Sequence, residues 1–190
     1  MYDAEMLKYS ENQKQIANNI LADSGLIPLL SKYGKCSVIG GLNLNVMFGP
    51  DIDIVVETKN PRDASVRAIM ELIEKRDFQK YQYGDFVKYP KKNRLKGFIV
   101  VLISEVDGVK WETEIWFVEK YPQDKIDRDL RFKESLTPEN RLTILRLKQA
   151  REMQGDDKNR VSSTDIYRAV LEDGITDYLK LRELLISEAD

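Results

Sequence analysis

Asp51 and Asp53 stand one residue apart in the run Asp51-Ile52-Asp53-Ile54. In an extended strand successive side chains alternate between faces, so both carboxylates share one face and both isoleucines the other. Two neighbouring carboxylates repel unless a cation lies between them. Hard oxygen donors favour a divalent ion such as magnesium. Upstream, Gly40-Gly41 ends the expected strand Cys36 to Ile39. A glycine turn ahead of a helix brings backbone N–H groups close to phosphate. Together the two features point to a metal–nucleotide site. Each alone also describes an ordinary turn or a solvated strand face.

The composition narrows the chemistry further. The 190 residues are 42% apolar and 33% charged, with a net charge of -2. That length suits one domain with a helical appendage, or two small domains. The balanced charge gives no field for a long nucleic-acid track, so nucleic acid is an open partner that charge does not indicate. There is no histidine, which excludes Ser-His-Asp and Cys-His mechanisms and the usual zinc sites. Cys36 is the single cysteine; at an apolar strand start it reads as a structural thiol. No apolar run reaches membrane-spanning length, and the N-terminus lacks a signal peptide's apolar core. The expectation is a soluble cytoplasmic protein with no membrane partner. Its chemistry must come from carboxylates, metal, Lys, Arg, hydroxyls and backbone.

The elements that would position these acids can be read from periodicity. Apolar spacing predicts a helix over 3–23 and a short one from Leu26 to Tyr33, ending at Gly34. Strands are expected over Cys36 to Ile39 and Asp51 to Glu57, with a short helix from Asn43 to Phe48 between them. Asn60-Pro61 opens a helix over 61–76 whose apolar face is Ala64, Ile69, Leu72 and Ile73. A strand is expected around 83–89, then a basic loop from Lys88 to Lys96. That loop reads as solvated, or as a contact for a phosphate-bearing substrate. Gly97 to Ser104 reads as a central strand. Asp107-Gly108 is a hairpin signal, leading to a strand over 109–118 with Glu112 and Glu114 on one face. From Tyr121 the pattern is helical. Thr137-Pro138 caps a helix to about Gln154, a polar linker covers 155–160, and Ser163 or Thr164 caps the next helix. The last helix follows Gly174, with Leu179, Leu181, Leu184 and Leu185 as core candidates. The fold class is α+β, a mixed-sheet α/β core over 1–120 followed by a helical region over 121–190.

Phosphoryl transfer on two metals needs donors that hold both ions, so a third acid from a neighbouring strand is expected beside Asp51 and Asp53. With Glu112 or Glu114 in that place, the chain resembles the nucleotidyltransferase superfamily of DNA polymerase beta-like, minimal and antibiotic nucleotidyltransferases. The resemblance rests on Ile39-Gly40-Gly41, nine intervening residues, Asp51-Ile52-Asp53-Ile54, and Glu114-Ile115-Trp116-Phe117-Val118. It covers about residues 35–118. Glu114 is preferred over Glu112 because an apolar run follows it. The chain departs from the family pattern at Gly41, where many members carry serine, and at Gly49-Pro50, where many carry a basic or polar residue.

The resemblance implies a nucleotidyltransferase using ATP or another nucleoside triphosphate. In that reading Asp51 and Asp53 hold two magnesium ions, with manganese as the alternative, and Glu114 ligates one. These three acids are also the catalytic set. Gly40 and Gly41 steady the β- and γ-phosphates, and an acceptor hydroxyl attacks the α-phosphorus with loss of pyrophosphate. Lys148 is the candidate for neutralising the triphosphate, in competition with Arg146 and Arg141. Ser162 to Glu172 reads as a capped packing helix or as part of an acceptor pocket. The acceptor is not specified: a small molecule such as an antibiotic, an RNA end or a protein. The rival reading is a silent nucleotide-sensing or protein-binding module, such as a toxin–antitoxin component.

Overall fold

The structure, a computed structural model, describes residues 2–92, 94–156 and 160–187. Its elements are α1 (Asp3–Asp23), α2 (Leu26–Leu30), β1 (Lys35–Ile39), α3 (Gly40–Asn43), β2 (Asp51–Glu57), α4 (Pro61–Lys75), β3 (Lys80–Asp85) and β4 (Phe98–Val106), then β5 (Val109–Val118), α5 (Gln123–Ser135), α6 (Pro138–Met153), α7 (Ser163–Leu171) and α8 (Tyr178–Ser187). The fold is α+β: one mixed five-stranded sheet in the order β1-β2-β5-β4-β3, then helices. Among the described residues no helix is long and apolar enough to cross a membrane. The chain divides into a sheet unit, Lys14–Asn43 with Gly49–Gln123, and a helical unit, Met1–Gln13 with Leu44–Phe48 and Asp124–Asp190. Against the expected divide at 120/121, the chain leaves the sheet unit after Gln123.

In the sheet unit β2 runs parallel to β5, and every other pairing is antiparallel. A parallel neighbour needs a long crossover, and here it contains α4, β3 and β4. Ile52, Ile54 and Val56 of β2 and Ile115 and Phe117 of β5 are fully buried. They form the apolar face by the same alternation that puts the acids on the other. Helix α4 lies against β4 and β5, burying Ala64, Ser65, Ala68 and Leu72. Ile73, expected in that stripe, is 56% exposed. The small residues allow close approach to the sheet, which rotates the contact stripe away from Ile73.

Helices α2 and α3 and strand β3 depart most from the sequence reading. Helix α3 starts at Gly40, not Asn43, because Gly40 adopts φ 66 and turns the chain straight out of β1. Asn45 at φ 59 follows its end, and Val46, Met47 and Phe48 are buried in backbone that is neither helix nor strand. Helix α2 stops at Leu30, before the expected Tyr33. Strand β3 ends at Asp85, earlier than expected, because the Asp85 carboxylate accepts from the backbone N–H of Val87 (3.0 Å) and Lys88 (2.8 Å) and closes a turn. The Asp107-Gly108 hairpin has positive φ at both residues, 53 and 75, as a type I′ turn requires.

The helical unit is organised by its caps. Thr137 Oγ1 accepts from Asn140 N–H at 3.2 Å and Pro138 opens α6. Ser162, one residue before the expected cap, forms a reciprocal capping box with Asp165. Phe132, Ile144, Leu147, Ile166, Val170 and Leu181 share a core there. Leu179, expected in it, is 59% exposed. The expected linker over 155–160 lies partly outside the described residues.

Leu72 is fully buried on the inner face of α4. Leu72→Ala is expected to lower unfolding free energy by about 2–5 kcal/mol, read from urea titration. A loss below about 1 kcal/mol would mean α4 is not anchored by this face.

Candidate functional site

The register of β2 fixes where its acids stand. Asp53 is opposite Ile39 on β1 and Glu114 on β5, and Asp51 is opposite Glu112. Residues paired across strands share a face, so Asp51, Asp53, Glu112 and Glu114 all lie on the face away from α4. Glu112 is exposed, while the other three are half-buried. The Glu112 backbone N–H donates to Pro50 O at 2.9 Å, tying the Gly49-Pro50 loop to β5.

Each aspartate rests against a glycine. A Cβ placed on Gly40 would overlap Oδ2 of Asp53, and one on Gly49 would stand 2.9 Å from Oδ1 of Asp51. Gly40 therefore does two things: it adopts the left-handed turn and it leaves room for the Asp53 carboxylate. The sequence reading anticipates the turn but not this contact. Gly41 is the second residue of α3.

Glu114 is engaged by a residue that sequence reasoning passed over. Its Oε2 accepts from Arg94 Nη1 at 3.2 Å and from Trp116 Nε1 at 3.3 Å. Arg94 belongs to the basic run from Lys88 to Lys96, and that run was the available signal; its Asn93 lies outside the described residues. The run is held over the acidic face by apolar contacts. The Phe86 ring lies 5.2 Å from that of Trp116. Phe86 and Leu95 pack on a cluster of Val55, Ile99, Trp116, Val118 and Tyr121. Gly84 makes room for this fold-over, since a Cβ there would meet Ile99 Cγ2 at 2.8 Å and the Phe86 ring at 3.1 Å.

The donor set suits a hard divalent cation. It is all carboxylate oxygen, and glycine stands where a side chain would fill the space beside Asp51 and Asp53. Asp51, Asp53 and Glu114 are the residues that would hold the ion, with Glu114 exchanging Arg94 for it. Among the described residues no three His, Cys, Asp or Glu side chains stand together as a ready cage.

The three basic candidates of the helical unit have separate structural contacts. Lys148 is 5% exposed; its Nζ donates to Val46 O at 2.8 Å and lies 5.0 Å from the centre of the Tyr167 ring. Arg141 donates to Asn45 O at 2.7 Å and pairs with Glu11 at 2.6 Å. Arg146 pairs with Asp3 at 2.6 Å. In α7, Ile166, Tyr167 and Val170 are buried in the core of this unit. Cys36 is half-buried, and burial pushes its thiol up to about 11, so it is protonated at neutral pH and poorly nucleophilic.

Comparisons of this chain with family models, curated proteins and solved structures give no match. The functional reading therefore stands on the motif and on the geometry of the acidic face.

Gly40→Ala is expected to cost about 1–3 kcal/mol for the left-handed backbone, plus displacement of Asp53. Gly174 has a similar φ of 65 with nothing near its Cβ position, so Gly174→Ala reports the backbone cost alone. Urea unfolding should find Gly40→Ala the more destabilising. Equal losses would mean that the Asp53 contact contributes nothing.

Proposed function

We propose that this protein is a metal-dependent nucleotidyltransferase, moving a nucleoside monophosphate from a nucleoside triphosphate to an acceptor hydroxyl. The observation that carries this is the register placing Glu114 directly opposite Asp53, with Gly40 against the Asp53 carboxylate. Asp51 and Asp53 hold magnesium, or manganese, and Glu114 completes the set. When bound, the ions lower the pKa of the acceptor hydroxyl and neutralise the triphosphate. Glu114 accepts the hydroxyl proton, and the Gly40-Gly41 turn offers backbone N–H groups to the β- and γ-phosphates. The acceptor oxygen bonds to the α-phosphorus, the bond from that phosphorus to the bridging oxygen breaks, and pyrophosphate leaves. Arg94, released from Glu114, is placed to neutralise phosphate charge. With a nucleoside triphosphate as donor, the expected compartment is the cytoplasm. The acceptor class stays open among small molecules, RNA ends and proteins.

One observation favours a second reading. The Arg94–Glu114 ion pair already neutralises the third acid, as in a silent nucleotide-sensing or protein-binding module in which arginine takes the metal's place.

Thermal shift with each of four nucleoside triphosphates, with and without magnesium, separates the readings. For the wild type, magnesium should add stability beyond whatever the triphosphate gives in chelator, by about 2.7 kcal/mol at a hundredfold excess over Kd for the metal-dependent site. Asp53→Ala and Glu114→Gln should lose that gain, while Glu112→Gln keeps it. A wild type that gains nothing further from magnesium, or a magnesium-dependent gain that survives in Asp53→Ala, would favour the silent module.

A further inference from the structure

Past the C-terminal ends of the parallel pair β2 and β5, the sheet unit holds a cavity of about 910 Å³. Ligand sites in sheets with parallel strands favour these strand ends, and the size falls within the roughly 300–1,000 Å³ of small-molecule pockets. From Asp53 to Glu57, and from Glu114 to Val118 in the cavity wall, at about 3.3 Å per residue, the cavity is on the order of 13 Å from the nearer acids along the strands. It is a separate place.

Its wall is unusual in charge. Lys59, Arg62, Lys96 and Lys120 line it. Among the described residues none of these four side chains makes an ion pair or hydrogen bond. Of the two carboxylates in the wall, Asp63 already pairs with Arg67 at 3.0 Å, leaving Glu119. Some cations elsewhere in this unit are matched: Lys32 and Lys75 share Glu71, and Lys35 meets Glu57. Four unmatched cations around one concavity repel each other, and a polyanion removes that repulsion. The floor is apolar. Phe98 and Val118 are buried in it, and Val66 and Val87 are 41% and 45% exposed. Helix α4 begins at this wall, and its Asn60 makes no side-chain cap, so its first N–H groups add to the positive field.

We propose that this cavity is a second ligand site, for a phosphorylated small molecule that carries two or more negative charges on an apolar or aromatic body. The cations take the phosphates and the Val66–Val87–Phe98 floor takes the body. The site needs no metal, because the protein already supplies the positive charge.

The test is calorimetric titration of the full chain with ATP and with inorganic pyrophosphate, both in excess chelator. Without metal the acids of β2 repel polyphosphate, so binding there and binding here are distinguishable. ATP is expected to bind in chelator, more tightly than pyrophosphate. Lys96→Ala/Lys120→Ala should weaken it at least about tenfold, since each lost charge-assisted contact is a strong one. Lys96→Arg/Lys120→Arg should retain binding, and Asp53→Ala should bind as the wild type does. The proposal is overturned if ATP does not bind in chelator, if the double alanine variant binds equally well, or if Asp53→Ala abolishes binding. Failure of magnesium-dependent binding at the acids leaves this result untouched.

Discussion

The in-register parallel pairing of β2 with β5 is the constraint on which the rest of the structure depends. It sets Asp53 beside Glu114 and Asp51 beside Glu112. Because both strands are flanked on either side, neither is a sheet edge. Their opposite face is sealed by Ile52, Ile54, Ile115 and Phe117. A slip of one residue would bring the acids into that apolar core, where unpaired carboxylates are costly. The hydrophobic pattern therefore fixes the acids as firmly as it fixes the core. A site on strands locked in this way is held to tighter tolerance than one on loops.

Electrostatics then decide what the acidic face can do. Four carboxylates on two adjacent strands need positive charge nearby. Arg94, on a loop pinned by Phe86 and Leu95, supplies it to Glu114. The Arg94–Glu114 pair is partly exposed, with side chains 41% and 21% accessible. Water screens such a pair, and it contributes little to stability, so its loss would cost little. The contrast with the cavity at the far strand ends follows the same logic with the sign reversed. One end of the β2–β5 pair collects acids and the other collects unmatched cations.

Much of this was legible in the sequence, for reasons that can be named. Alternation gave Asp51 and Asp53 one face, and positive φ at Asp107 and Gly108 is what that dipeptide adopts in a hairpin. Thr137-Pro138 opened α6 as the capping rule expects. The misread parts depend on tertiary contacts. Asn43 to Phe48 looks helical in isolation, but Val46 and Met47 are buried in irregular backbone. Ile73 fits the helical stripe, but the sheet selects small residues instead. Glu114 and Arg94 are far apart in sequence and meet only because the 86–97 segment folds over the face. Gly40 read as a turn residue, whereas its contact with Asp53 exists only once β1 and β2 pair. Lys148, read from the sequence as the candidate for the triphosphate, is buried against Val46 and Tyr167, a contact no helical pattern shows.

The most direct test of the central claim is a manganese titration followed by electron paramagnetic resonance, in the presence of a non-hydrolysable nucleoside triphosphate. The account predicts saturable binding of two ions per chain with magnetic coupling between them. It also predicts loss of that binding in Asp51→Asn/Asp53→Asn. Absence of saturable manganese binding by the folded wild type, or its full survival in the double variant, would contradict a metal site on the β2–β5 face.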